Sequence, residues 1–473
     1  MPALSFGFQN LISIFGIGVI IGIAWLFSRD RDAINWKTVR WGLSLQFFFA
    51  VLILGTGLGE GFFAATDAAF TRLMSFAEQG MDFVFQPTAP YMEQVGAFGA
   101  SGVEFQESVG FPRGREEAIE LGRAAPSIKT FAFWVLPTII FFSALMSVMY
   151  FLGIMGKIVN FFGRIMHKTM GTSGAESLSA ASNIFVGQTE APLVVKPFVK
   201  EMTRSELHAV MTGGFATIAG GVMAMYVLFL QNSIPGIAGH LVVASVLSAP
   251  AALAIAKILY PEDGKPVTGG GAHINVEQNS QNVIEAAARG STDGLQLALN
   301  VAAMLISFIA LVAMVDWALT AVPVHFCDGS PGLGYAASAS AGLAETCDSL
   351  SLSNGLGVVF SPLAWAMGVP WEEASTVGAL LGEKMVLTEL YAYQHFGEIQ
   401  ADPSTAISER SAIIASYALC GFANFASIGI QIGGLGAIAP ERMRDISAVA
   451  FRAMIGGTLA AMMTGTVAGA LIG

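Results

Sequence analysis

Two short polar strings interrupt long apolar runs in this sequence, and each contains a carboxylate. The first runs from Asn183 to Pro192 and places two amides, a hydroxyl and the carboxylate of Glu190 within eight residues. An unpaired charge at membrane depth costs about 3 kcal/mol, so intramembrane acids usually mark functional sites. Gly187 and Pro192 disfavour regular helix, which would leave backbone carbonyls free. Such oxygens suit a hard cation such as sodium, and mixed donors and acceptors suit a polar organic solute. The alternative is a polar cluster that only packs helices together.

The second string surrounds Glu389. Lys384 precedes Thr388 and Glu389 by four to five residues, so a local ion pair can form if this segment is helical. Glu383 can pair with Lys384 or face water, and we expect the solvated position. The second string therefore offers one carboxylate for a site and one cation near it.

Two later apolar segments carry similar interruptions. In the first, Thr217 and Ile218 can offer a hydroxyl and backbone carbonyls toward the first string. In the second, Phe422, Asn424 and Ser427 can offer an aromatic face, an amide and a hydroxyl. Ordinary packing is the alternative for Phe422, but its place beside an amide in a broken helix favours a role in binding.

The order of these features predicts an internal repeat. A Thr-Glu pair ends each polar string, at Thr189-Glu190 and at Thr388-Glu389. Each pair is followed by one interrupted segment, Gly214–Gly220 or Gly421–Ser427, and then by a further apolar segment. Repeats of this kind build midplane binding sites in secondary transporters.

The composition places these segments in a membrane. Of the 473 residues, 54% are hydrophobic and 12% are charged, about half the charged share of a typical soluble domain. No basic patch with interleaved aromatics suggests nucleic acid as a partner. The apolar stretch from Phe8 to Phe27 lacks a positive leader and is long enough to span, so it reads as a first helix rather than a cleaved signal.

We expect an all-α membrane protein of about eight transmembrane helices and two re-entrant hairpins. The predicted spans are 8–28, 41–63, 130–155, 206–230, 238–260, 294–322, 410–438 and 447–472. The predicted hairpins are 158–200 and 355–396, and residues 64–128 are expected to form interfacial helices and loops. Asp316, near the end of the sixth span, is expected to be a scaffold or interfacial polar residue.

The distribution of Lys and Arg orients this map. Most of them fall in four clusters that the map places on one side, which the positive-inside rule makes the cytoplasm. Both termini are then expected outside an inner (plasma) membrane, and the two hairpins enter from opposite sides, as an inverted repeat requires. Cys327 and Cys347 flank one outer loop, where a disulfide and two free thiols both remain open.

No catalytic set is apparent in the sequence. The six histidines are dispersed, and no phosphate-binding loop follows the Gly269–Gly271 run, so ion coupling is favoured over ATP as the energy source. No cofactor is expected apart from the coupling ion. A passive channel and an intramembrane hydrolase using the two carboxylates are the alternatives from other classes.

Several motifs are similar to those of one transporter family. They are GQTEAP at Gly187–Pro192, TELYAY at Thr388–Tyr393, GFANFASI at Gly421–Ile428, and the segments Val135–Leu145 and Asn282–Ala287. Over nearly its whole length the chain resembles the concentrative nucleoside transporters.

This resemblance implies sodium-coupled import of nucleosides by a homotrimer embedded in membrane lipid. Each protomer would hold a scaffold and a transport domain that moves as an elevator. The implied division is 1–155 for scaffold helices, 156–262 for the first transport repeat, 263–322 for a loop and long scaffold helix, and 323–473 for the second repeat.

The resemblance also implies roles for individual residues. The sodium ligands would be Asn183, Val186, Thr217 and Ile218. The nucleobase would meet Gln188, Thr189, Glu190, Val222 and Phe422. The ribose would meet Glu389, Asn424 and Ser427.

The chain departs from the family pattern at three positions. Thr388 replaces an asparagine and the bulkier Tyr391 follows it, which affects local hydrogen bonding and substrate range. Thr217 replaces the usual serine and keeps the hydroxyl. The Gly187-Gln188 pair resembles broadly selective members, which implies pyrimidine and purine nucleosides, and proton coupling remains the alternative to sodium.

Overall fold

The computed structural model describes residues 7–85, 131–188, 190–270, 280–327 and 352–472, and these ranges contain helices and connections but no β-strand. The helices are α1 Phe8–Leu26, α2 Trp36–Leu54, α3 Gly57–Phe85, α4 Leu136–Phe151 (preceded by a π-helical turn, Phe131–Val135), α5 Ile154–Met170, α6 Gly174–Asn183, α7 Ala191–Val194, α8 Lys196–Val199, α9 Arg204–Ala216, α10 Gly220–Leu230, α11 Ile237–Leu259, α12 Val283–Cys327, α13 Leu352–Ala366, α14 Trp371–Val386, α15 Glu389–Ala401, α16 Glu409–Leu419, α17 Phe425–Ile438 and α18 Met443–Leu471.

The predicted all-α membrane architecture is confirmed. Within the described ranges, seven helical segments are long and apolar enough to cross a membrane, and the α13–α14 pair, bent by 118°, makes an eighth if counted as one span. The expected span at 206–230 is two helices, α9 and α10, separated at residues 217–219. The expected span at 410–438 is likewise divided into α16 and α17.

Several predicted boundaries were wrong. The second span ends at Leu54, and α3 begins at Gly57, earlier than the interfacial segment expected from residue 64. The long helix α12 extends beyond both ends of the expected 294–322 span. Residues 86–130, Cys347 and the side chain of Cys327 lie outside the described part. A disulfide between Cys327 and Cys347 and two free thiols therefore both remain open.

Each stretch predicted as one hairpin contains a separate helix, and only the helices after it remain candidates for the hairpin. Residues 158–170 belong to α5, which ends where Gly171 adopts φ +70°, and the first hairpin starts with α6. Ser173 and Glu176 form a capping box there, each side chain bonding the other's backbone N–H. In the second half α13 takes the place of α5, and α14 with α15 takes the place of the hairpin.

The two halves therefore share one order of elements. A separate helix is followed by a hairpin, an interrupted pair and a long helix. This order is α5, α6–α8, α9–α10 and α11 in the first half, and α13, α14–α15, α16–α17 and α18 in the second. The helices α9, α11 and α18 pack on one another and form the buried centre. The structure thus reproduces the repeat that the polar strings predict.

The interruptions of the two halves meet at a glycine. Gly421 adopts φ +148°, and a Cβ there would lie 2.7 Å from the carbonyl oxygen of Phe215 and 2.9 Å from the carbonyl carbon of Ala216. Such an approach is closer than van der Waals contact allows, so only glycine fits. This contact places the break at 217–219 beside the break at 420–424.

We expect Gly421→Ala to destabilise the protein by about 1–3 kcal/mol, because the added methyl group meets backbone atoms in a conformation that costs an L-residue energy. The loss should appear as a lower midpoint of thermal unfolding in detergent. Gly429→Ala is the control, since a Cβ there meets no atom within 4 Å on an exposed helix face. Equal midpoints for the two variants would contradict the close approach.

The longest element, α12, lies at the periphery. It spans 45 residues, packs mainly against α4, and exposes most of its described apolar side chains. Its Asp316 accepts a hydrogen bond from the backbone N–H of Leu352 (2.6 Å), which begins α13. Asp316 is thus a structural polar residue that joins α12 to the second half.

Candidate functional site

Glu389 lies at the point where the second hairpin turns. It is the first residue of α15, after a break at Leu387 and Thr388, and its side chain is buried. One carboxylate oxygen accepts a hydrogen bond from the hydroxyl of Tyr226 (3.1 Å) and the other accepts from the amide of Asn424 (2.7 Å). Tyr226 belongs to the first half and Asn424 to the second. Both halves therefore hold this carboxylate.

A chain of amides and hydroxyls extends from this carboxylate. Asn424 caps α17 by accepting the backbone N–H of Ser427 through its side-chain oxygen (2.8 Å). The amide of Gln188 donates to the hydroxyl of Ser427 (3.0 Å), and Gln431 donates to the oxygen of Gln188 (3.1 Å). These groups bring the first polar string against the second interruption, and they offer both donors and acceptors to a polar solute.

Glu190 occupies a different environment. Its carboxylate accepts the backbone N–H of Gly187 (3.3 Å), and its side chain is exposed, whereas that of Glu389 is buried. It precedes the single helical turn α7, in which Pro192 is the second residue. Thr189 lies outside the described residues. The two carboxylates are therefore held in unlike ways, one enclosed and one accessible.

The apolar candidates lie at the edges of the same region. Val222 is buried in the first turn of α10, and Phe422 is half-buried within the second interruption. The backbone N–H of Phe422 points to the carbonyl of Thr217 (3.4 Å), and both Val222 and Phe422 belong to the same hydrophobic cluster. The interruptions thus place one aliphatic and one aromatic side chain beside the polar chain.

The candidate cation ligands gather where α6 and α9 end. Asn183 is the last residue of α6 and is fully buried, and neither atom of its amide has a hydrogen-bond partner among the protein atoms described. Its amide nitrogen would lie 3.2 Å from a Cβ at Gly213. Val186, Thr217 and Ile218 are buried in the two nearby breaks.

A backbone hydrogen bond joins these two breaks. The N–H of Gly220 donates to the carbonyl of Phe185 (3.1 Å), and Thr217 donates its hydroxyl hydrogen to the carbonyl of Gly213 (2.9 Å), leaving the oxygen lone pairs available. A buried amide without a protein partner is costly, and an oxygen-rich surrounding of this kind fits a sodium ion as cargo.

One expectation about the second string was wrong. Glu383 was expected at a solvated position, which is wrong: its side chain is fully buried and accepts hydrogen bonds from Ser353 and from His395 (3.0 Å). Lys384 is also fully buried, and its ammonium donates to the carbonyl of Ala418 (3.0 Å) while interacting electrostatically with Glu389. Glu383 and Lys384 therefore point to different neighbours, and neither faces water.

Sequence reasoning missed two site residues. Tyr226 lies in an apolar run, and its ring stacks on Tyr393 with 4.2 Å between centroids. Gln431 follows Ser427 by four residues, so a polar residue one helical turn further along an apolar helix was the available signal. No local signal pointed to Tyr226, because its partner Glu389 is 163 residues away.

We expect Tyr226→Phe to weaken solute transport by at least about tenfold, the effect of losing one hydrogen bond to a charged group while the stacked ring is kept. Initial uptake rates in proteoliposomes measure this. Tyr393→Phe is the control, because its hydroxyl donates to the backbone carbonyl of Ser416 and not to Glu389. That variant should change stability more than transport, and the opposite pattern would contradict the assignment of Tyr226 to the site.

Three family models match the chain in succession. The descriptions are "Na+ dependent nucleoside transporter N-terminus" over residues 15–88, "Nucleoside recognition" over 132–233, and "Na+ dependent nucleoside transporter C-terminus" over 240–469. Together they cover most of the chain, including both polar strings and both interruptions.

Individual relatives agree with these models. A protein of Haemophilus influenzae described as an uncharacterized transporter is 39% identical, with 98% of each chain covered. Human solute carrier family 28 member 3 is 37% identical over 98% of this chain, which spans 60% of that protein. The rat sodium/nucleoside cotransporter 1 is 36% identical, and the chain spans 64% of its length.

Solved structures show the same architecture. CNTnw in an inward-facing, substrate-bound state matches with a TM-score of 0.78 at 36% identity, covering 98% of both chains. A double variant of CNTnw in an outward-facing state matches with a TM-score of 0.80 at 37% identity, covering 98% of this chain and 97% of that one. The chain is therefore a multi-pass membrane transporter, and it belongs to the Na+-dependent, or concentrative, nucleoside transporter family.

Proposed function

We propose that this chain imports nucleosides by sodium symport through alternating access. The main observation that supports this proposal is the buried carboxylate of Glu389. It accepts hydrogen bonds from Tyr226 in the first half and from Asn424 in the second. A buried carboxylate surrounded by donors binds neighbouring hydroxyl groups through charge-assisted hydrogen bonds. Two adjacent hydroxyls of a ribose are the matching partner.

We assign the two ends of the nucleoside to different parts of the site. Glu389, Asn424 and Ser427 bind the ribose, because they combine a carboxylate, an amide and a hydroxyl. The base contacts a set of polar and apolar side chains: Gln188, Thr189, Glu190, Val222 and Phe422. Amides pair with the polar edge of a base and an aromatic ring suits its face, so pyrimidine and purine nucleosides are both proposed substrates.

Sodium binds beside this site in our proposal. Its ligands are the side-chain oxygens of Asn183 and Thr217 and the backbone carbonyls of Val186 and Ile218. The unpartnered amide of Asn183 supports this assignment, because a bound cation would offset the cost of burying its oxygen. Coupling then follows from position, since the first polar string supplies both ion ligands (Asn183 and Val186) and residues of the base site (Gln188 and Glu190).

The proposed assembly is a homotrimer in membrane lipid, and each protomer has a scaffold domain and a transport domain. The scaffold holds residues 1–155 and 263–322, and the transport domain holds the inverted repeats in 156–262 and 323–473. The transport domain moves as an elevator across an inner membrane, with both termini outside. The inward-facing and outward-facing structures of CNTnw support alternating access in a relative of this fold.

The proposal is tested by uptake of labelled uridine and adenosine into proteoliposomes with and without an inward sodium gradient. We expect uptake that requires sodium and that shows counterflow, because a carrier exchanges bound solute and a channel does not. Membership of a transporter family removes the hydrolase alternative. Uptake that ignores sodium and follows a proton gradient would transfer the coupling to protons, and no uptake of either nucleoside would refute the substrate assignment.

A second test needs no transport. A ligand that binds only the folded protein raises its thermal stability by an amount set by its concentration and Kd. We expect uridine to raise the unfolding midpoint more in sodium chloride than in choline chloride. Free sugars that carry no base serve as the control solutes, and they should leave the unfolding midpoint unchanged.

A further inference from the structure

Lys384 is a buried cation to which the proposed function gives no role. Its side chain lies in the last turn of α14 and is 1% exposed. Its ammonium donates to the carbonyl oxygen of Ala418 (3.0 Å), and the neighbouring carboxylate of Glu383 pairs with His395 instead. Burying an ammonium inside a membrane protein is costly, so a lysine kept in this position requires an explanation.

The carbonyl that Lys384 contacts lies at the end of a broken helix. Ala418 is the penultimate residue of α16, and its carbonyl has no partner in the helical ladder because the helix ends before Cys420. In the same last turn, the carbonyl of Ser416 accepts the hydroxyl hydrogen of Tyr393 on α15 (2.6 Å). The C-terminal end of a helix carries partial negative charge, which attracts a cation. The second hairpin therefore caps this end, and Lys384 does so with a positive charge.

The same ammonium acts on the carboxylate of Glu389. The two residues lie on either side of the break between α14 and α15, and their charges interact. Both side chains are buried, so the attraction is screened far less than at a protein surface. Tyr226 and Asn424, which bind the carboxylate oxygens directly, are neutral donors. Lys384 therefore supplies positive charge that balances this carboxylate.

The place of Lys384 in the second half corresponds to the proposed sodium site in the first. The hairpin helix α14 packs against α16, as α6 packs against α9. Counted back from the Thr-Glu pair of each hairpin, Lys384 matches Phe185, which lies between the proposed ion ligands Asn183 and Val186. The other proposed ligands follow the end of α9, and Ala418 lies at the end of α16. Each half thus has one place for a cation, between its hairpin and the end of its broken helix.

The side chains at these two places differ in a complementary way. The first half offers the unpartnered amide of Asn183 and the hydroxyl of Thr217, and its hairpin helix α6 contains no basic residue. In the second half, Gly382 matches Asn183 by the same count and has no side chain. Asn424 matches Thr217, but both atoms of its amide are bonded to neighbouring residues of the site. The second half therefore lacks free oxygen ligands at these positions and contains the ammonium of Lys384.

We propose that the ammonium of Lys384 is a tethered cation that takes, in the second half, the place that sodium takes in the first. This inference rests on the sodium symport proposed above. Lys384 is a positioning residue: it draws the end of α14 to α16 and balances the charge with which Glu389 binds the ribose. Because this cation is covalently attached, the second hairpin keeps its part of the site formed with or without sodium, and sodium acts on the first hairpin.

Lys384→Ala tests the preference of this place for a cation. The substitution removes a segment of the side chain that propylammonium can replace. We expect propylammonium chloride to raise the midpoint of thermal unfolding of this variant in detergent, relative to choline chloride at the same concentration, because choline is too bulky to enter. 1-Propanol, which has a similar length and no charge, should not raise it.

Lys384→Met is the control for this experiment, because its long side chain fills the space. It should respond to propylammonium no more than the unmodified protein does. An alanine variant that ignores propylammonium, or that responds equally to 1-propanol, would overturn the proposal. The readout requires neither a nucleoside nor transport, so it does not depend on the substrate assignment.

Combining Lys384→Met with Glu389→Gln tests the charge balance. Alone, Lys384→Met should lower kcat/KM for uridine uptake by at least about tenfold, the size of one interaction with a charged group. In the Glu389→Gln background the same change should cost less than about twofold, because the charge that Lys384 balances is gone. Equal losses in both backgrounds would overturn the counter-charge role and leave Lys384 as a packing residue.

Lys257→Met is the matched control, since Lys257 is another buried lysine but pairs with Glu176 and Glu262 at the start of α6. Its effect on uptake should be the same in both backgrounds. Sodium-dependent uridine uptake by the unmodified protein is measured in the same series. Its absence would refute the proposed function, whereas its presence together with equal losses from Lys384→Met would refute only the role of Lys384.

Discussion

Glu389→Gln should lower kcat/KM for nucleoside uptake by roughly tenfold to a hundredfold, which corresponds to the loss of a charge-assisted hydrogen bond of about 1.5–3 kcal/mol. The substitution keeps the size of the side chain and removes its charge. Tyr226 and Asn424 each donate to a different carboxylate oxygen, so the new amide group would face one of these donors. The variant therefore loses the negative charge and one of the two acceptor oxygens that the carboxylate offers.

Initial rates over a range of uridine concentrations measure this effect. Glu398→Gln is the control, because it makes the same change on the exposed face of the same helix. Its transport should equal that of the unmodified protein. Unchanged kcat/KM in Glu389→Gln would exclude Glu389 as a ribose ligand, and a loss confined to protein yield would reduce it to a structural residue.

Asn183→Leu should raise the sodium concentration for half-maximal uptake by at least about tenfold, the effect of losing one ligand of the ion. The same change should not weaken the fold, because the amide has no protein partner to lose and the apolar side chain is buried more cheaply. This combination of lost function and kept stability is the mark of a binding residue.

Uptake against sodium concentration and the thermal unfolding midpoint are measured on the same preparation. Gln46→Leu is the matched control, since Gln46 is another buried amide with an unpartnered oxygen, but its amide donates to Thr464 on α18 and it is not one of the proposed ion ligands. It should lower stability and leave the sodium dependence unchanged. Normal sodium dependence in Asn183→Leu would remove Asn183 from the ion site.

The sequence revealed the membrane class and the repeat because both depend on local features. Long apolar runs identify spans, and a carboxylate beside glycine and proline in such a run identifies a break. Glu190 was visible for this reason, Glu389 as the second acid within a broken apolar stretch, and the breaks at Thr217 and Asn424 through their polar residues.

Other features depended on contacts between distant segments. Tyr226 is one aromatic among many in apolar runs, and only the fold brings it to Glu389. The burial of Glu383 likewise follows from Ser353 and His395, which lie 30 and 12 residues away. The predicted start of the first hairpin, at residue 158, was wrong. Ser173 and Glu176 form a capping box, which is a local sequence signal for a new helix even within a long apolar stretch.

The length of α12 constrains how the protein can sit in a bilayer. A helix of 45 residues is about 68 Å long at 1.5 Å per residue, whereas the hydrocarbon core of a bilayer is about 30 Å thick. Its first turn carries an exposed ion pair, Glu285 with Arg289, that belongs in water. A rod of this length must lie oblique or project beyond the lipid. The protein can then adapt to bilayers of different thickness by tilting α12, which lies at the periphery. The two interruptions at the centre need not change.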